Sequence, residues 1–146
     1  MEHIHQRDYS TSHLFQQSYC QTVQLCYHLS LLIKKLNLTY RIDELYDLKG
    51  LYLSHENLTT LPKQVGQLVN LQWLYLSHNR LTELPSEMGQ LVNLQALHLC
   101  DNHLTQLPSQ MGQLINLKVL DLKQNQLTQL PKEMAQCHAL HIYKNF

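Results

Sequence analysis

LQWLYLSHNRLTELPSEMGQLVN, residues 71–93, is one of four near-copies of a single phrase in this chain. The copies begin at a fixed step of 23 residues, at Leu48, Leu71, Leu94 and Leu117. A fifth start falls at Leu140, with seven residues of sequence from there on. A fixed period of this length is typical of a solenoid, in which each unit is one small element stacked on its neighbours.

The spacing of apolar residues within one unit predicts its local structure. Leu74, Tyr75 and Leu76 alternate between the two faces expected of a β-strand. Pro85 has no backbone N–H to donate, so the strand must end before it and the chain must turn. Gly89 falls where the returning chain must come close to the next unit. One strand and one irregular return cannot bury their own leucines, so we expect the leucines to be buried between stacked units.

The repeated pattern L-x-x-L-x-L-x-x-N-x-L-x-x-L-P-x-x-φ-G-x-L-x-N resembles the 23-residue class of leucine-rich repeats. Residues 48–139 fit it almost without gaps. The phrase LTxLPxxφGxL is similar to the repeats of Ras-suppressor and Scribble-type scaffolds and of effectors from intracellular bacterial pathogens. The resemblance implies an α/β repeat solenoid with short parallel strands on the concave face and irregular or 3₁₀ returns on the convex face. It implies binding without naming a partner, since the family binds many kinds of molecule.

Residues 1–47 precede the repeats and contain a predicted amphipathic helix over about 10–36. Its apolar residues recur every three or four positions, at Phe15, Tyr19, Val23, Cys26, Leu29, Ile33 and Leu36. The first unit of a solenoid has an uncovered apolar face, so we interpret this helix, with a connector over 37–47, as an N-terminal cap. The alternative is an amphipathic helix that binds a partner.

Residues 140–146 form a truncated fifth repeat, in which Tyr143 takes the place of the second leucine. We expect Leu140, Ile142 and Phe146 to be partly exposed there. Two outcomes remain open: a weak end-to-end homodimer, because open sheet edges invite pairing, or Tyr143 and Phe146 folding over the end.

Asparagine recurs just past the strand in three repeats, and a buried amide there can satisfy backbone groups that no sheet ladder reaches. The predicted structural ladder consists of Asn79, Asn102 and Asn125. The first repeat has Glu56 at this position, with Asn57 beside it. Either its turn is shifted or Glu56 faces water.

Composition excludes several classes of partner. Lysine plus arginine and aspartate plus glutamate number 11 each, so no basic surface for nucleic acid is expected. The longest apolar run, near LSLLI (residues 29–33), is too short to span a bilayer, so we predict no membrane insertion.

The N-terminus lacks the layout of a signal peptide, and the four cysteines form no CxxC pair. These features indicate the cytoplasm, and the resemblance to effectors adds the cytosol of a host cell.

The predicted concave face places the outward residues of successive strands in columns. The candidate protein-binding residues are those of these columns that carry aromatic rings or charge: Tyr52, Trp73, Tyr75, His98, Asp121 and Lys123. Tyrosine and tryptophan dominate binding hot spots because they bury a large area at low entropic cost. The alternative for Trp73 is burial beneath the N-terminal cap.

Two other groups of residues resemble a catalytic site and a metal site, but neither has the surroundings that such a site needs. Cys100, His98 and Asp121 resemble a Cys-His-acid triad, yet an open sheet offers neither oxyanion donors nor a water-excluding pocket. His55 and His78 share a column without zinc-ligand spacing. We therefore predict no catalytic residue, no metal and no cofactor.

The sequence thus predicts a non-catalytic protein-interaction module that binds a protein partner through the concave sheet. Its resemblance to bacterial effectors suggests a host protein as that partner. Two alternatives remain: the recognition arm of a ubiquitin ligase or Roc-type GTPase, although no phosphate-binding G-x-x-x-x-G-K-[ST] occurs, and a self-assembling structural repeat protein.

Overall fold

A computed structural model of the chain describes residues 27, 30–31, 33–39 and 41–145. Each repeat contributes one three-residue strand to a single sheet, whose order follows the sequence. The strands are β1 (Gly50–Tyr52), β2 (Trp73–Tyr75), β3 (Ala96–His98), β4 (Val119–Asp121) and β5 (His141–Tyr143). All neighbouring pairs are parallel.

The strands are joined by 3₁₀ returns on the opposite side of the solenoid. These returns span Lys63–Gln67, Ser86–Gln90, Ser109–Gln113 and Lys132–Gln136, and each directly follows a proline. Each proline caps its turn, and its carbonyl accepts the first N–H, as Pro62 O does from Val65 N at 3.0 Å. The predicted α/β repeat solenoid is therefore confirmed.

The leucines of each repeat form one continuous core. The inward leucine of each of the first four strands is fully buried, as is the leucine that follows the strand in the second and third repeats: Leu51, Leu74, Leu97, Leu120, Leu76 and Leu99. Leu140 and Ile142 of the last repeat are half-buried and pack against this core. Full burial of an inward leucine therefore depends on packing on both sides of its repeat.

The glycines of the returns mark the closest approach between repeats. A Cβ atom added at Gly89 would lie 2.6 Å from the backbone oxygen of Gln110 in the next return. The predicted close approach at Gly89 is therefore confirmed. Ala135 holds the equivalent position in the last return, where it is exposed and no further described return packs against it.

Asn102 is buried and joins two repeats through its side-chain amide. Its Nδ2 donates to the carbonyls of Leu76 at 3.0 Å and Leu99 at 3.1 Å, and its Oδ1 accepts from the Leu81 N–H at 3.0 Å. The same arrangement recurs at Asn79 and Asn125. These amides satisfy backbone groups at the turn where the sheet ends.

In the first repeat, Glu56 is exposed, and its N–H donates to Asn79 Oδ1 at 3.2 Å. The preceding residue, His55, has a φ of 65°, much like the 57° of His78 in the second repeat. Asn57 adds a second positive φ, of 55°, which asparagine tolerates. Of the two interpretations, Glu56 facing water is the one that the structure supports.

The fifth repeat departs from the predicted register. The first four strands pair residues 23 apart, but β4 pairs Val119 with His141 and Leu120 with Ile142. A shift of one residue exchanges the two faces of a strand. Ile142 therefore takes the inward position and Tyr143 points outward, so the placement of Tyr143 at the second leucine is wrong.

The shift arises at the entrance of β5. In the earlier repeats two consecutive N–H groups share one carbonyl, as Lys118 N and Val119 N share Gln95 O at 2.8 and 3.0 Å. In the last repeat His141 N donates to Lys118 O at 2.8 Å, and no second N–H of residues 141–145 joins it, so the strand is one residue shorter there. This earlier entry into the sheet buries an aliphatic side chain in place of a phenol. Tyr143 does not fold over the end of the solenoid, and Phe146 lies outside the described residues.

The segment before the repeats supplies apolar side chains to the first one. The described helical positions end at Leu36, and Asn37 follows with a φ of 49°. A short helix that the sequence reading did not predict, α1, spans Ile42–Tyr46 within the connector. Leu36 and Leu45 belong to the buried core. The remaining apolar positions of the predicted helix lie outside the described residues: Phe15, Tyr19, Val23, Cys26 and Leu29.

We expect Leu99→Ala, at the centre of the core, to lower the free energy of unfolding by about 2–5 kcal/mol, because it leaves a cavity that neighbouring repeats cannot fill. Urea denaturation of wild type and variant measures this loss. Thr105→Ala, at an exposed position, is the control and should change stability little. A loss below about 1 kcal/mol for Leu99→Ala would mean that this leucine is not held between two repeats.

Candidate protein-binding surface

Three rings on the outward face of the sheet stack on one another. The centroids of Tyr52 and Tyr75 are 4.8 Å apart with planes 8° from parallel, and those of Tyr75 and His98 are 4.8 Å apart at 4°. We call these three residues the ring column. Parallel strands in register place equivalent residues at about this distance, so the strand pairing itself brings the rings together.

The column continues into charged residues and then another ring. Asp121 pairs with His98 across β3 and β4, and Tyr143 pairs with Asp121 across β4 and β5. The Lys123 Nζ lies 5.1 Å from the centroid of the Tyr143 ring, a cation–π distance. The sequence analysis did not include Tyr143 among the candidate binding residues. A buried core position favours isoleucine over tyrosine, and this preference could have indicated that Ile142 points inward and Tyr143 outward.

Trp73 stands in the adjacent column, between Gly50 and Ala96. Its side chain is 38% exposed, on the face opposite to the inward leucines. Gly50 also makes room for the ring column, because a Cβ atom there would lie 3.2 Å from Cε2 of Tyr52. Small neighbours thus leave both aromatic groups accessible.

The two histidines at the exit of the first two strands form a separate stack. The rings of His55 and His78 are 4.3 Å apart and 11° from parallel, and His78 Nδ1 lies 2.9 Å from Asp101 Oδ2. Both histidines adopt positive φ and are exposed. Among the described residues no three histidine, cysteine or acidic side chains are grouped so that they could hold a metal ion.

Cys100 lacks the surroundings of a nucleophile. Partial burial raises the pKa of its thiol, and the negative charges of Asp121 and Asp101 raise it further, while Lys123 acts in the opposite direction. The Cys100 Sγ donates to Gln124 Oε1 at 3.4 Å. The thiol is therefore protonated at neutral pH, and Asp121, the acid of the apparent triad, opposes formation of a thiolate.

A further exposed apolar set lies away from the concave face, where each return leads into the next strand. It consists of Val69, Val92 and Ile115, which occupy one position in three successive repeats. The asparagine after each of them ties the repeats together: Asn93 Nδ2, for example, donates to Val69 O at 2.8 Å. Sequence reasoning did not single out this set, because the consensus leaves the position open.

Comparison with known families agrees with this geometry. The family described as leucine rich repeat matches residues 42–81 and 92–142, more than half of the 146 residues. The chain belongs to the leucine-rich repeat family. A match to two copies of the repeat also covers residues 69–110. Leucine-rich repeat domains generally act as non-catalytic protein-binding modules, so the fold supports a protein-interaction module.

Two solved bacterial structures resemble this leucine-rich repeat chain. A leucine-rich repeat protein of Leptospira interrogans is 44% identical, with a TM-score of 0.61, over 68% of this chain and 26% of that one. Internalin C2 from Listeria monocytogenes is 26% identical, with a TM-score of 0.57, over 64% of this chain and 40% of that one. The chain thus spans less than half of either protein. No curated protein matches it significantly.

The described part of the chain contains no helix whose length and apolar character would allow it to cross a bilayer.

We expect Cys100 to be alkylated by iodoacetamide more slowly than free cysteine at pH 7, because its raised pKa keeps the thiol protonated. The rate should rise as the pH increases through and above the ordinary range of a thiol. Asp121→Asn, which removes one of the charges that raise the pKa, should increase the rate at pH 7. Peptide mass spectrometry follows Cys100 separately from the other cysteines. A rate at or above that of free cysteine would contradict the protonated state.

Proposed function

We propose that this leucine-rich repeat chain is a non-catalytic module that binds a protein partner through its concave sheet. The observation that carries the proposal is the exposed ring column beside Trp73. Tyr52 is 66% exposed and Trp73 is 38% exposed. Large rings at a solvent-facing position bury much area when a partner covers them.

The arrangement of these residues favours a protein interface. Stacking in the ring column fixes the orientation of Tyr75 before a partner arrives, which lowers the entropy lost on binding. Asp121 and Lys123 provide a charged end to the aromatic centre, and a polar rim around an apolar centre is the usual composition of a protein interface. We therefore assign the centre of the interface to Tyr52, Trp73, Tyr75 and His98.

We also propose that the partner is a protein of a host cell and that the chain acts in its cytosol. The support is the bacterial origin of the two similar structures described above, together with the resemblance of the repeats to those of bacterial effectors. A reducing compartment suits the two cysteines that the structure describes, since Cys100 and Cys137 are both free.

We expect Trp73→Ala to weaken partner binding by about 2 kcal/mol or more, because it removes the largest ring of the interface centre. The fold should be unchanged, since the side chain points away from the leucines. Captures from eukaryotic and bacterial lysates with immobilised wild type identify the partner, and titration of the purified partner gives its dissociation constant for each variant.

Gln110→Ala, on the exposed convex return, is the matched control and should bind like wild type. Val92→Ser tests the separate aliphatic set. Loss of binding in either of these variants, with Trp73→Ala unaffected, would place the interface away from the concave sheet. A partner found only in bacterial lysate would contradict the proposed host target.

The outer edge of β5 leads us to propose, in addition, a weak end-to-end homodimer. β5 is the last strand among the described residues, and Leu140 just before it and Ile142 within it are only half-buried. A strand with one unpaired edge and apolar neighbours can pair with a second copy.

We expect sedimentation velocity to show dimers only at high protein concentration, and Ile142→Lys to abolish them by placing a charge at the contact. Tyr52→Ala, at the opposite end of the sheet, should sediment like wild type. A monomer at every concentration would contradict the homodimer.

A further inference from the structure

We infer that the partner adds a β-strand to the outer edge of β1 and that an aromatic side chain of this strand stacks on Tyr52. The inference rests on the proposed function of the concave sheet, because Tyr52 belongs to that surface. It names the conformation of the bound segment and the class of residue that the segment must contain.

The residues just before β1 form the second half of a repeat. Leu45 lies 23 residues before Leu68, and both are fully buried. Asn70 Nδ2 donates to the carbonyl of Tyr46 at 2.9 Å, the same contact that links the later asparagines of this position to the preceding repeat. α1 therefore takes the place of a return. Leu51 in β1 is fully buried, so the leucine core is already covered at this end.

The first half of that repeat, by contrast, contributes no strand to the described sheet. A strand there would lie 23 residues before β1 and begin at Tyr27, but the described positions Tyr27, Ser30 and Leu31 are helical. β1 is accordingly first in the strand order. In the part of the chain that the structure describes, this end of the solenoid is thus a return without its strand.

Alternate residues of β1 direct their backbone groups to its outer edge. Leu53 N donates to Tyr75 O in β2 at 2.8 Å. Because successive residues of a strand point their N–H and C=O groups in opposite directions, those of Gly50 and Tyr52 face away from β2. No described residue bonds to these groups. Such an edge can pair with an extended segment of another protein, which is a common mode of peptide recognition.

The ring of Tyr52 is open on the same side. One of its faces lies on Tyr75 with centroids 4.8 Å apart and planes 8° from parallel, and the residue is 66% exposed. Gly50 adjoins the ring without a side chain, and glycine in a strand often marks the close approach of another backbone. A strand paired with β1 would place its own outward residue about 4.8 Å from Tyr52, which is the stacking distance of the column.

Charge favours a protein ring over a nucleobase at this place. A single-stranded nucleic acid needs a basic groove for its backbone as well as rings for its bases. The exposed Lys49 is flanked by the exposed carboxylates of Asp47 and Glu56, so no such groove begins at β1. An extended peptide with an aromatic residue satisfies the strand edge and the open ring together.

The opposite edge of the described sheet does not offer this combination. The Lys123 Nζ already lies 5.1 Å from the centroid of the Tyr143 ring in β5. Ile142 is only half-buried there, so apolar burial favours the second copy proposed above at that edge. At β1 the leucines are buried, and the unpaired groups are the backbone and one ring.

Hydrogen exchange of the free, full chain tests the edge first. Measured by NMR, the Tyr52 N–H should exchange faster than the Leu53 N–H, which bonds to Tyr75 O. Equal protection of the two N–H groups would mean that a second copy, or another segment of this chain, already pairs with β1. That result would overturn the inference.

Random peptides displayed on phage are then selected on the full chain, and each is assayed against Tyr52→Ala, Tyr52→Phe and the convex control Gln110→Ala. Peptides that need Tyr52 should contain an aromatic residue. They should bind Tyr52→Ala about tenfold more weakly than wild type, and Tyr52→Phe, which retains the ring, within about twofold. Replacing the aromatic residue of the peptide by leucine should lower the affinity for wild type and leave that for Tyr52→Ala unchanged.

N-methylation of a selected peptide tests the strand pairing. Only every second N–H of an added strand faces β1, so methylation at alternate positions should abolish binding, and methylation at the intervening positions should be tolerated. The bound peptide should also slow exchange of the Tyr52 N–H and leave that of the Leu53 N–H unchanged. Loss of binding at every position, or at none, would exclude an added strand.

The outcomes separate this inference from the proposed function. If selected peptides depend on Trp73 but bind Tyr52→Ala like wild type, or if peptides that need Tyr52 lack an aromatic residue, the inference fails while concave binding survives. If no selected peptide depends on either ring, the proposed interface fails and this inference fails with it.

Discussion

Everything in this structure depends on the fact that one repeat cannot bury its own leucines. A strand of three residues and a short return enclose too little volume, so each inward leucine is buried by what packs on either side of its repeat. The same requirement sets the distance between repeats and makes the strands parallel and in register. It also explains Gly89, whose missing Cβ lets two returns approach, and Ala135, which stands where no described return follows.

The candidate binding surface is a consequence of that stacking. Once the leucines fix the register, the outward residues at one position must also stand one strand spacing apart. Tyr52, Tyr75 and His98 consequently form a stack without any core to hold them. The stacking covers both faces of Tyr75 and leaves Tyr52, at the end of the stack, 66% exposed.

The two ends of the described array differ from its middle in how the repeats pack. At the beginning, Leu36 and Leu45 come from outside the repeats and join the core of the first one. At the other end, β5 enters the sheet one residue early, which puts Ile142 inward and adds Tyr143 to the outward column. In both places burial of apolar surface has priority over the strict period. The candidate surface gains an aromatic residue and a cation–π contact with Lys123 as a result.

The sequence by itself determined the repeat, its strand, its return and the columns of outward residues, because a period of 23 residues written four times leaves one way to stack. It also indicated the asparagine positions, since a buried amide at a turn has few other uses. Only the tertiary structure decided the register of β5, the solvent-facing position of Glu56 and the helix at Ile42–Tyr46. Each of these depends on the last or first repeat packing against something other than a full repeat, and a periodic pattern contains no information about its own ends.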